Sequence, residues 1–243
     1  MDRRDFFKTI FATPLLAPIF LASKPYAHDE LFLISDRPEL FLPELLGKWG
    51  KGNMALGHRT FSITPHPQKK ALSQTLKKAG WTPSILPEYA GLSISFRSLQ
   101  HPAPPSFTLV KSGQIWDIRR KELFPLWQEM NEKHPPSSCL TVASMKTRQP
   151  GNKPGHTARI YLDGCVVEEI PLNKNRTNTF SAKQGSVTVQ IEQGKVYIPS
   201  SSCRHKICCS APPVSISSER IVCAPNHFLL EIQGVGSIDT IIG

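Results

Sequence analysis

Ile160-Tyr-Leu-Asp-Gly-Cys-Val-Val167 is the stretch that decides the fold, because two apolar runs flank an Asp-Gly pair. Asp-Gly supplies the positive φ angles of a type I′ turn, so this stretch predicts a β-hairpin. Residues 187–198, with Gln193-Gly194 between two apolar runs, predict a second hairpin. Apolar runs at 221–223 and 228–232 add further strands. Short strands at regular spacing indicate a small barrel or sandwich over residues 158–234.

Residues 28–145 predict a mixed α+β region of a family that we do not recognise. Helical and alternating apolar patterns lead us to expect helices over 67–79 and 121–133, and strands over 92–97, 107–110, 115–118 and 139–145. Residues 31–46 are expected to form only short helical turns and loop, because Pro38 and Pro43 interrupt them. The predicted fold class is therefore α+β, with an N-terminal mixed region followed by the small barrel or sandwich.

Two polar segments complete the predicted organisation. Residues 146–157 contain Pro150-Gly151 and Pro154-Gly155 and are predicted to be a linker between the domains. Residues 235–243 are expected to form a C-terminal tail.

The N-terminal segment, residues 1–27, resembles a twin-arginine export signal. Arg3-Arg4 is followed by Phe6-Phe7, by Lys8 and by a weakly apolar stretch over residues 9–22. A charged region before a short apolar region is typical of a targeting segment. The resemblance implies export to the periplasm or the cell surface, where disulfides persist. We leave open whether the segment is cleaved after Ala22 or Ala27, or stays as a membrane anchor through residues 9–22.

Composition places the chain among globular proteins, since 40% of its 243 residues are hydrophobic and 20% are charged. The net charge is +10, but the Lys and Arg residues are scattered. Such a distribution favours a solvated surface over a nucleic-acid site, and we expect no nucleic-acid partner. We find no nucleophile elbow, no phosphate-binding glycine loop and no dinucleotide fingerprint, so the expectation leans away from an enzyme.

In the C-terminal region, Cys203-x4-Cys208 is followed by Cys223-x-Pro225-Asn226. With this pattern as the most specific part, about 75 residues resemble the NusG domain II family, and the resemblance favours a small C-terminal β-barrel over residues 158–234. The chain departs from the family at Ala211-Pro-Pro-Val214 and at Cys209, which follows Cys208 directly. The resemblance implies a small β-barrel. It does not imply a role in transcription, because the chain has no counterpart of the NusG transcription domains.

The cysteine cluster supports two interpretations. The first is a disulfide that joins Cys203, Cys208 or Cys209 to Cys223, or a set of plain thiols, with no cofactor; a second bridge could join Cys139 to Cys165. The second is a metal site, zinc or an iron–sulfur cluster, built from Cys203, His205, Cys208, Cys223 and His227. The two Cys/His pairs resemble a Rieske pattern in part, but the second pair is one residue too long.

The sequence therefore predicts an exported, non-enzymatic binding or accessory protein. Its expected partner is a periplasmic or membrane-associated protein. The alternative is a periplasmic redox or metal-binding protein that uses the cysteine cluster.

Overall fold

The computed structural model describes residues 29–49, 59–111, 114–116, 123–145 and 153–234. The predicted export signal, most of the predicted linker and the C-terminal tail lie outside these residues. The N-terminal elements are β1 Asp29–Ile34, α1 Pro38–Trp49, β2 Thr60–Ile63, α2 Lys69–Lys78, β3 Thr82–Pro83, β4 Leu92–Ala103, β5 Ser106–Lys111, β6 Gln114–Trp116, α3 Phe124–Lys133 and β7 Ser137–Met145. The C-terminal elements are β8 Gly155–Leu162, β9 Cys165–Pro171, β10 Arg176–Ala182, β11 Gly185–Glu192, β12 Lys195–Ser201, α4 Ile207–Ser210, β13 Arg220–Cys223 and β14 Phe228–Gly234.

The N-terminal region is built on a seven-stranded sheet in the order β3-β2-β4-β7-β1-β5-β6. The last strand of the region, β7, lies at its centre and pairs antiparallel with both β4 and β1. Leu31 and Ile94 both pair with Ala143 of β7, and all three are fully buried. The helices pack their apolar faces on this side, with Leu42, Leu45, Leu72 and Leu76 in the same core.

The expectation of helical turns and loop over residues 31–46 is wrong. The structure has the strand β1 and the 12-residue helix α1 there. Pro38 is the first residue of α1, where its missing N–H costs nothing. Pro43 does lie inside the helix, but the buried stripe of Phe41, Leu42, Leu45 and Leu46 outweighs its penalty.

The other N-terminal predictions are confirmed with small shifts of boundary. Helix α2 begins two residues later than predicted and α3 begins three later, at Phe124. The strands predicted over 107–110 and 115–118 correspond to β5 and β6, which pair antiparallel with each other. The strand expected over 92–97 continues to Ala103. Among the described residues, no helix has the length and apolar character that crossing a bilayer requires.

The C-terminal strands form two open sheets, so the predicted closed barrel is wrong, although the α+β class is confirmed. One sheet has the order β13-β14-β8-β9 and the other β10-β11-β12. Their inward faces share one apolar core. Closure fails because the edge strand β12 meets the segment before β13 only at an isolated bridge between Val196 and Val214. Closing a barrel needs a continuous ladder between edge strands.

Both predicted hairpin turns are present. Asp163 and Gly164 have φ angles of 50° and 81°, and Gln193 and Gly194 have 50° and 74°. Two consecutive positive φ angles are the signature of the type I′ turn. Strand β8 already begins at Gly155, so residues 155–157 of the predicted linker are part of a sheet.

The two regions are joined by a buried ionic cluster. Arg220 of β13 donates to Glu231 of β14 at 2.6 Å and to Glu30 of β1 at 3.1 Å. The hydroxyl of Tyr161 donates a hydrogen bond to the other oxygen of Glu231, and the hydroxyl of Ser144 donates one to Glu30.

Apolar contacts also join the two regions. Beside the ionic cluster, Val110 packs against Tyr161 and Leu229. The cysteine-bearing loop after β12 contacts the N-terminal sheet separately, where Ile207 packs against Ile34 and Leu99.

Candidate functional site

Three cysteines from separate elements converge inside the C-terminal region. Cys203 lies two residues after β12, Cys208 lies in α4, and Cys223 ends β13. Their Sγ atoms all lie within 4.8 Å of one another, and those of Cys203 and Cys208 are 3.8 Å apart. All three side chains are at most 5% exposed. We call this group the sulfur cluster.

A tight reversal of the chain brings Cys208 back beside Cys203. Lys206 adopts a left-handed conformation, with φ 49° and ψ 28°, and its carbonyl accepts from the N–H groups of Cys209 and Ser210. The resulting short helix places Cys208 inward and leaves Cys209 half-buried. The left-handed residue therefore sets the spacing between the first two sulfurs.

Asn226 fixes the third sulfur. Its side chain is fully buried, and its Nδ2 donates to Cys223 Sγ at 3.4 Å and to Ser201 Oγ at 3.1 Å. Its Oδ1 accepts from the N–H of Gln184, which fixes the orientation of the amide. Ser201 Oγ also lies 3.7 Å from Cys223 Sγ and accepts from the N–H of Cys203. Two polar side chains thus face the sulfur cluster.

The three thiols share their protons unequally. Hydrogen bonding with the neighbouring thiols of Cys208 and then Cys223 holds the pKa of Cys203 well below its usual range. The same bonds to Cys203, with burial, raise the pKa of Cys208 and of Cys223. The arrangement therefore favours one thiolate, at Cys203, held by two neighbouring thiols.

The remaining cysteines stand apart from the sulfur cluster. Burial raises the pKa of Cys209 and of Cys139. Cys139 lies in β7 and Cys165 is exposed on β9, so the two belong to different sheets. All six cysteines are free, and the Cys139–Cys165 bridge is not found. The 3.8 Å between Cys203 and Cys208 also exceeds the ~2.05 Å of a disulfide bond.

Neither histidine of the predicted metal site belongs to the group of sulfur atoms within 4.8 Å. His205 is exposed on the loop beside Cys203 and lines the cavity next to it. His227 points its Nδ1 at Asp163 Oδ1, 2.9 Å away, and its Nε2 lies 3.5 Å from Lys183 Nζ. The structure thus brings together the cysteines of the predicted set without the histidines.

An apolar cleft runs past the sulfur cluster, between the N-terminal sheet and the cysteine-bearing loop. It consists of two adjoining cavities of about 110 Å³ and 290 Å³. The smaller one is lined by all three cysteines of the cluster together with apolar side chains such as Phe32 and Leu99. The larger one is lined by aromatic residues, among them Trp116, Phe124 and Trp127. We call the two cavities together the cleft.

Sequence reasoning missed the polar partners of the sulfur cluster. Asn226 was part of the recognised Cys-x-Pro-Asn pattern, but its role needs the distant Ser201 and Gln184 beside it. The buried Arg220 was missed as well. A charged residue inside an apolar strand, as at Arg220 and Glu231, was the available signal.

The C-terminal region is a compact two-sheet β unit with a buried sulfur cluster at its junction with a larger sheet. The family model for NusG domain II matches residues 137–236, so the predicted resemblance is confirmed for that segment. The match begins at the first residue of β7, which belongs to the N-terminal sheet.

Solved structures are similar to about a third of the chain. A DUF1312 family protein from Ruminococcus gnavus is 25% identical over 32% of this chain and 99% of that chain, with a TM-score of 0.30. A DUF1312 family protein from Enterococcus faecalis is 16% identical over 33% and 99%, with a TM-score of 0.32. The Lin0431 protein from Listeria innocua is 22% identical over 34% and 99%, also at 0.32. No curated protein matches the chain.

Proposed function

We propose that this chain is an exported, non-enzymatic binding or accessory protein that acts in the periplasm or at the cell surface. The cleft is the observation that carries the proposal. It has apolar and aromatic walls and an open side at Phe124, which is 43% exposed. Concave apolar sites with a few polar groups are the usual places where proteins bind partners or ligands. The proposed occupant is a side chain or short segment of a periplasmic or membrane-associated protein.

The sulfur cluster supports this role because it stabilises one wall of the cleft. Cys203, Cys208 and Cys223 line the smaller cavity of the cleft, and Ile207 and Pro225 belong to the same wall. In an oxidising compartment, a disulfide between Cys203 and Cys208 would stabilise the folded form of the cysteine-bearing loop, because the bond restricts the conformations of the unfolded chain. Cys209 is the other neighbour that could take part.

Photocrosslinking in cells tests the proposal. A benzoylphenylalanine placed at Phe124, inside the cleft, is expected to form adducts with a periplasmic or membrane protein. The matched control is Val166 on β9, which is 49% exposed and does not line the cleft. Adducts of equal yield at both positions, or none at Phe124, would count against a cleft partner.

Export is tested separately by fractionation. The double variant Arg3→Lys, Arg4→Lys keeps the charge of the N-terminal segment but removes the paired arginines that twin-arginine export signals carry. We expect the variant to stay in the cytoplasm and the natural chain to reach the periplasm. If the natural chain were found only in the cytoplasm, the proposed location in the periplasm or at the cell surface would be wrong.

The second candidate function is redox or metal binding, and the convergence of three buried sulfur atoms favours it. Zinc or an iron–sulfur cluster would use Cys203, Cys208 and Cys223, with His205 or His227 supplying further ligands after movement of their loops. Metal analysis and thiol counting of protein purified without oxygen separate the two candidates. Stoichiometric metal supports the second candidate. Metal-free protein with a disulfide within the sulfur cluster supports the first proposal, in which the cysteines stabilise the wall of the cleft.

A further inference from the structure

We infer that Cys203, Cys208 and Cys223 form an all-sulfur, three-coordinate site for one Cu(I) ion. The inference rests on the second candidate function, because it uses the same sulfur atoms. It goes beyond that candidate by naming the ion and by excluding the two histidines as ligands.

The sulfur positions suit a single ion at their centre. With metal–sulfur bonds of about 2.3 Å, a planar trigonal site places its sulfurs about 4.0 Å apart. Cys203 and Cys208 are 3.8 Å apart, and all three separations are within 4.8 Å. Binding therefore needs sulfur movements below about 1 Å, which rotation about the side-chain torsions supplies.

The number and type of ligands select the ion. Structural zinc takes four ligands in a tetrahedron, and iron–sulfur clusters take four cysteines or two cysteines with two histidines. Within the described ranges, three cysteines come together, and no His, Asp or Glu joins the group. Soft thiolates favour Cu(I) among the ions that accept a purely sulfur environment.

The cavity beside the sulfur cluster disfavours a zinc ion that completes its coordination with water. The 110 Å³ cavity is walled largely by apolar side chains, such as Ile34, Phe107 and Leu140. A zinc-bound water there would face mostly apolar walls, with Ser106, Thr108 and His205 among the few polar residues of the lining. A three-coordinate ion needs no such water. The same cavity opens into the larger one, which gives an ion a path to the sulfurs.

Hydrogen-bond donors point at the sulfur atoms, as expected for thiolate ligands. The amide Nδ2 of Asn226 is 3.4 Å from Cys223 Sγ, and the amide is fully buried. The hydroxyl of Ser201 lies 3.7 Å from the same sulfur. Sulfur accepts a hydrogen bond more strongly as a thiolate than as a thiol, so a buried amide donor at this position suits a ligand sulfur. Arg204 and Lys206, in the loop between the first two cysteines, add positive charge nearby.

Binding is a substitution without electron transfer. Each S–H bond that breaks releases one proton to solvent, and one S–Cu bond replaces it, with copper remaining Cu(I). The ion must therefore arrive reduced, and the thiols must be reduced when it arrives.

The test uses the full chain, reduced and kept free of oxygen, with Cu(I) delivered from its complex with a coloured chelator. We expect one Cu(I) per chain and, by X-ray absorption, three sulfur neighbours with no nitrogen or oxygen. Replacement of Cys203, Cys208 or Cys223 by Ser should weaken binding at least 100-fold. Cys165→Ser, on exposed β9, is the matched control and should bind as the natural chain does. Asn226→Ala should weaken binding 10–100-fold through the lost donor.

Several results would overturn the inference. They are full binding by Cys223→Ser, a nitrogen ligand in the absorption spectrum, or zinc bound at one per chain in preference to Cu(I). The absorption measurement on the natural chain decides the matter even if a cysteine variant fails to fold. Preference for zinc would leave the second candidate function standing, whereas absence of any metal would remove both. Neither preference for zinc nor absence of metal affects the first proposed function, which the photocrosslinking experiment at Phe124 tests independently.

Discussion

Arg220 and Glu30 lie 190 residues apart in sequence, yet the guanidinium of Arg220 donates to the carboxylate of Glu30 at 3.1 Å inside the protein. The side chain of Arg220 is 2% exposed, and that of Glu30 is 9% exposed. The same guanidinium neutralises Glu231. One buried cation therefore serves two buried carboxylates and ties the two sheets together.

We expect Arg220→Met to lower the free energy of unfolding by about 3–5 kcal/mol, because it leaves two buried carboxylates without their cation. Urea unfolding followed by fluorescence measures the change. Arg176→Met is the control, since Arg176 is 54% exposed and its pair with Glu168 should contribute at most about 1 kcal/mol. Equal losses in both variants would contradict the ionic junction.

Gly155 is expected to resist replacement by alanine. An added Cβ would lie 2.0 Å from Ile232 Cγ2 and 2.9 Å from the carbonyl oxygen of Ser215. Gly155→Ala should therefore lower the free energy of unfolding by about 1–3 kcal/mol. Gly47→Ala is the matched control, because nothing lies within 4 Å of its added Cβ and Gly47 is inside helix α1. That variant should gain about 0.5–1 kcal/mol, and a loss there would contradict the assigned helix.

Asn226→Ala is expected to destabilise the protein and to loosen the sulfur cluster. The change leaves the N–H of Gln184 without its acceptor and removes the hydrogen bonds that Asn226 donates to Cys223 Sγ and Ser201 Oγ. Each buried polar group left without a partner costs about 1–3 kcal/mol. Unfolding gives the loss of stability, and the rate of thiol labelling reports the loosening. Asn175→Ala is the control, because Asn175 is exposed. If the cysteines of the sulfur cluster were labelled as fast in Asn175→Ala as in Asn226→Ala, the role of the buried amide would be refuted.

Thiol labelling of the native reduced chain should divide the cysteines into three groups. Cys165 is exposed and should react first. Cys139 and Cys209 should follow slowly at neutral pH, because burial raises the pKa of each and lowers its thiolate fraction. The three buried cysteines of the sulfur cluster should react only on unfolding. Mass spectrometry assigns each site, and fast labelling of Cys208 would show that the cluster is open.

The protonation of Tyr161 makes the free energy of unfolding depend on pH in the alkaline range. Burial, and then the charge of Glu231, raises its pKa, so the folded protein keeps the hydroxyl protonated. This contribution is complete below the unfolded pKa of about 10 and is lost as pH rises above that value. At pH 7, Tyr161→Phe should cost about 1.5–3 kcal/mol through the lost hydrogen bond to a carboxylate.

The difference in stability between the natural chain and Tyr161→Phe should shrink between pH 9 and pH 11. Tyr89→Phe provides the control, because Tyr89 is 75% exposed. Chemical unfolding at each pH gives the comparison. A difference that stays constant over this range would contradict the raised pKa.

Local signals in the sequence predicted the elements that local forces decide. Asp163-Gly164 and Gln193-Gly194 impose their turns through backbone conformation alone, so both hairpins were predictable. Helix α1 was not, because Pro43 is a helix breaker whose cost is met only by packing against the distant sheet. Barrel closure also failed as a prediction, since it depends on whether two edge strands meet.

The candidate site was predictable in part for the same reason. Cysteine spacing drew attention to Cys203, Cys208 and Cys223, and the structure brings these sulfurs together. The placement of His227 depended on Asp163, far away in sequence, and no spacing rule contains that partner. The orientation of Asn226 likewise depends on residues from two other segments.

The central position of β7 has a consequence for synthesis. Without residues 137–145, the strands β1-β5-β6 and β3-β2-β4 have no ladder between them. A chain emerging from the ribosome therefore carries two half-sheets with unpaired edges until well over half of its length has been translated. Open edges of this kind promote aggregation, so the nascent chain should depend on chaperone binding during that interval.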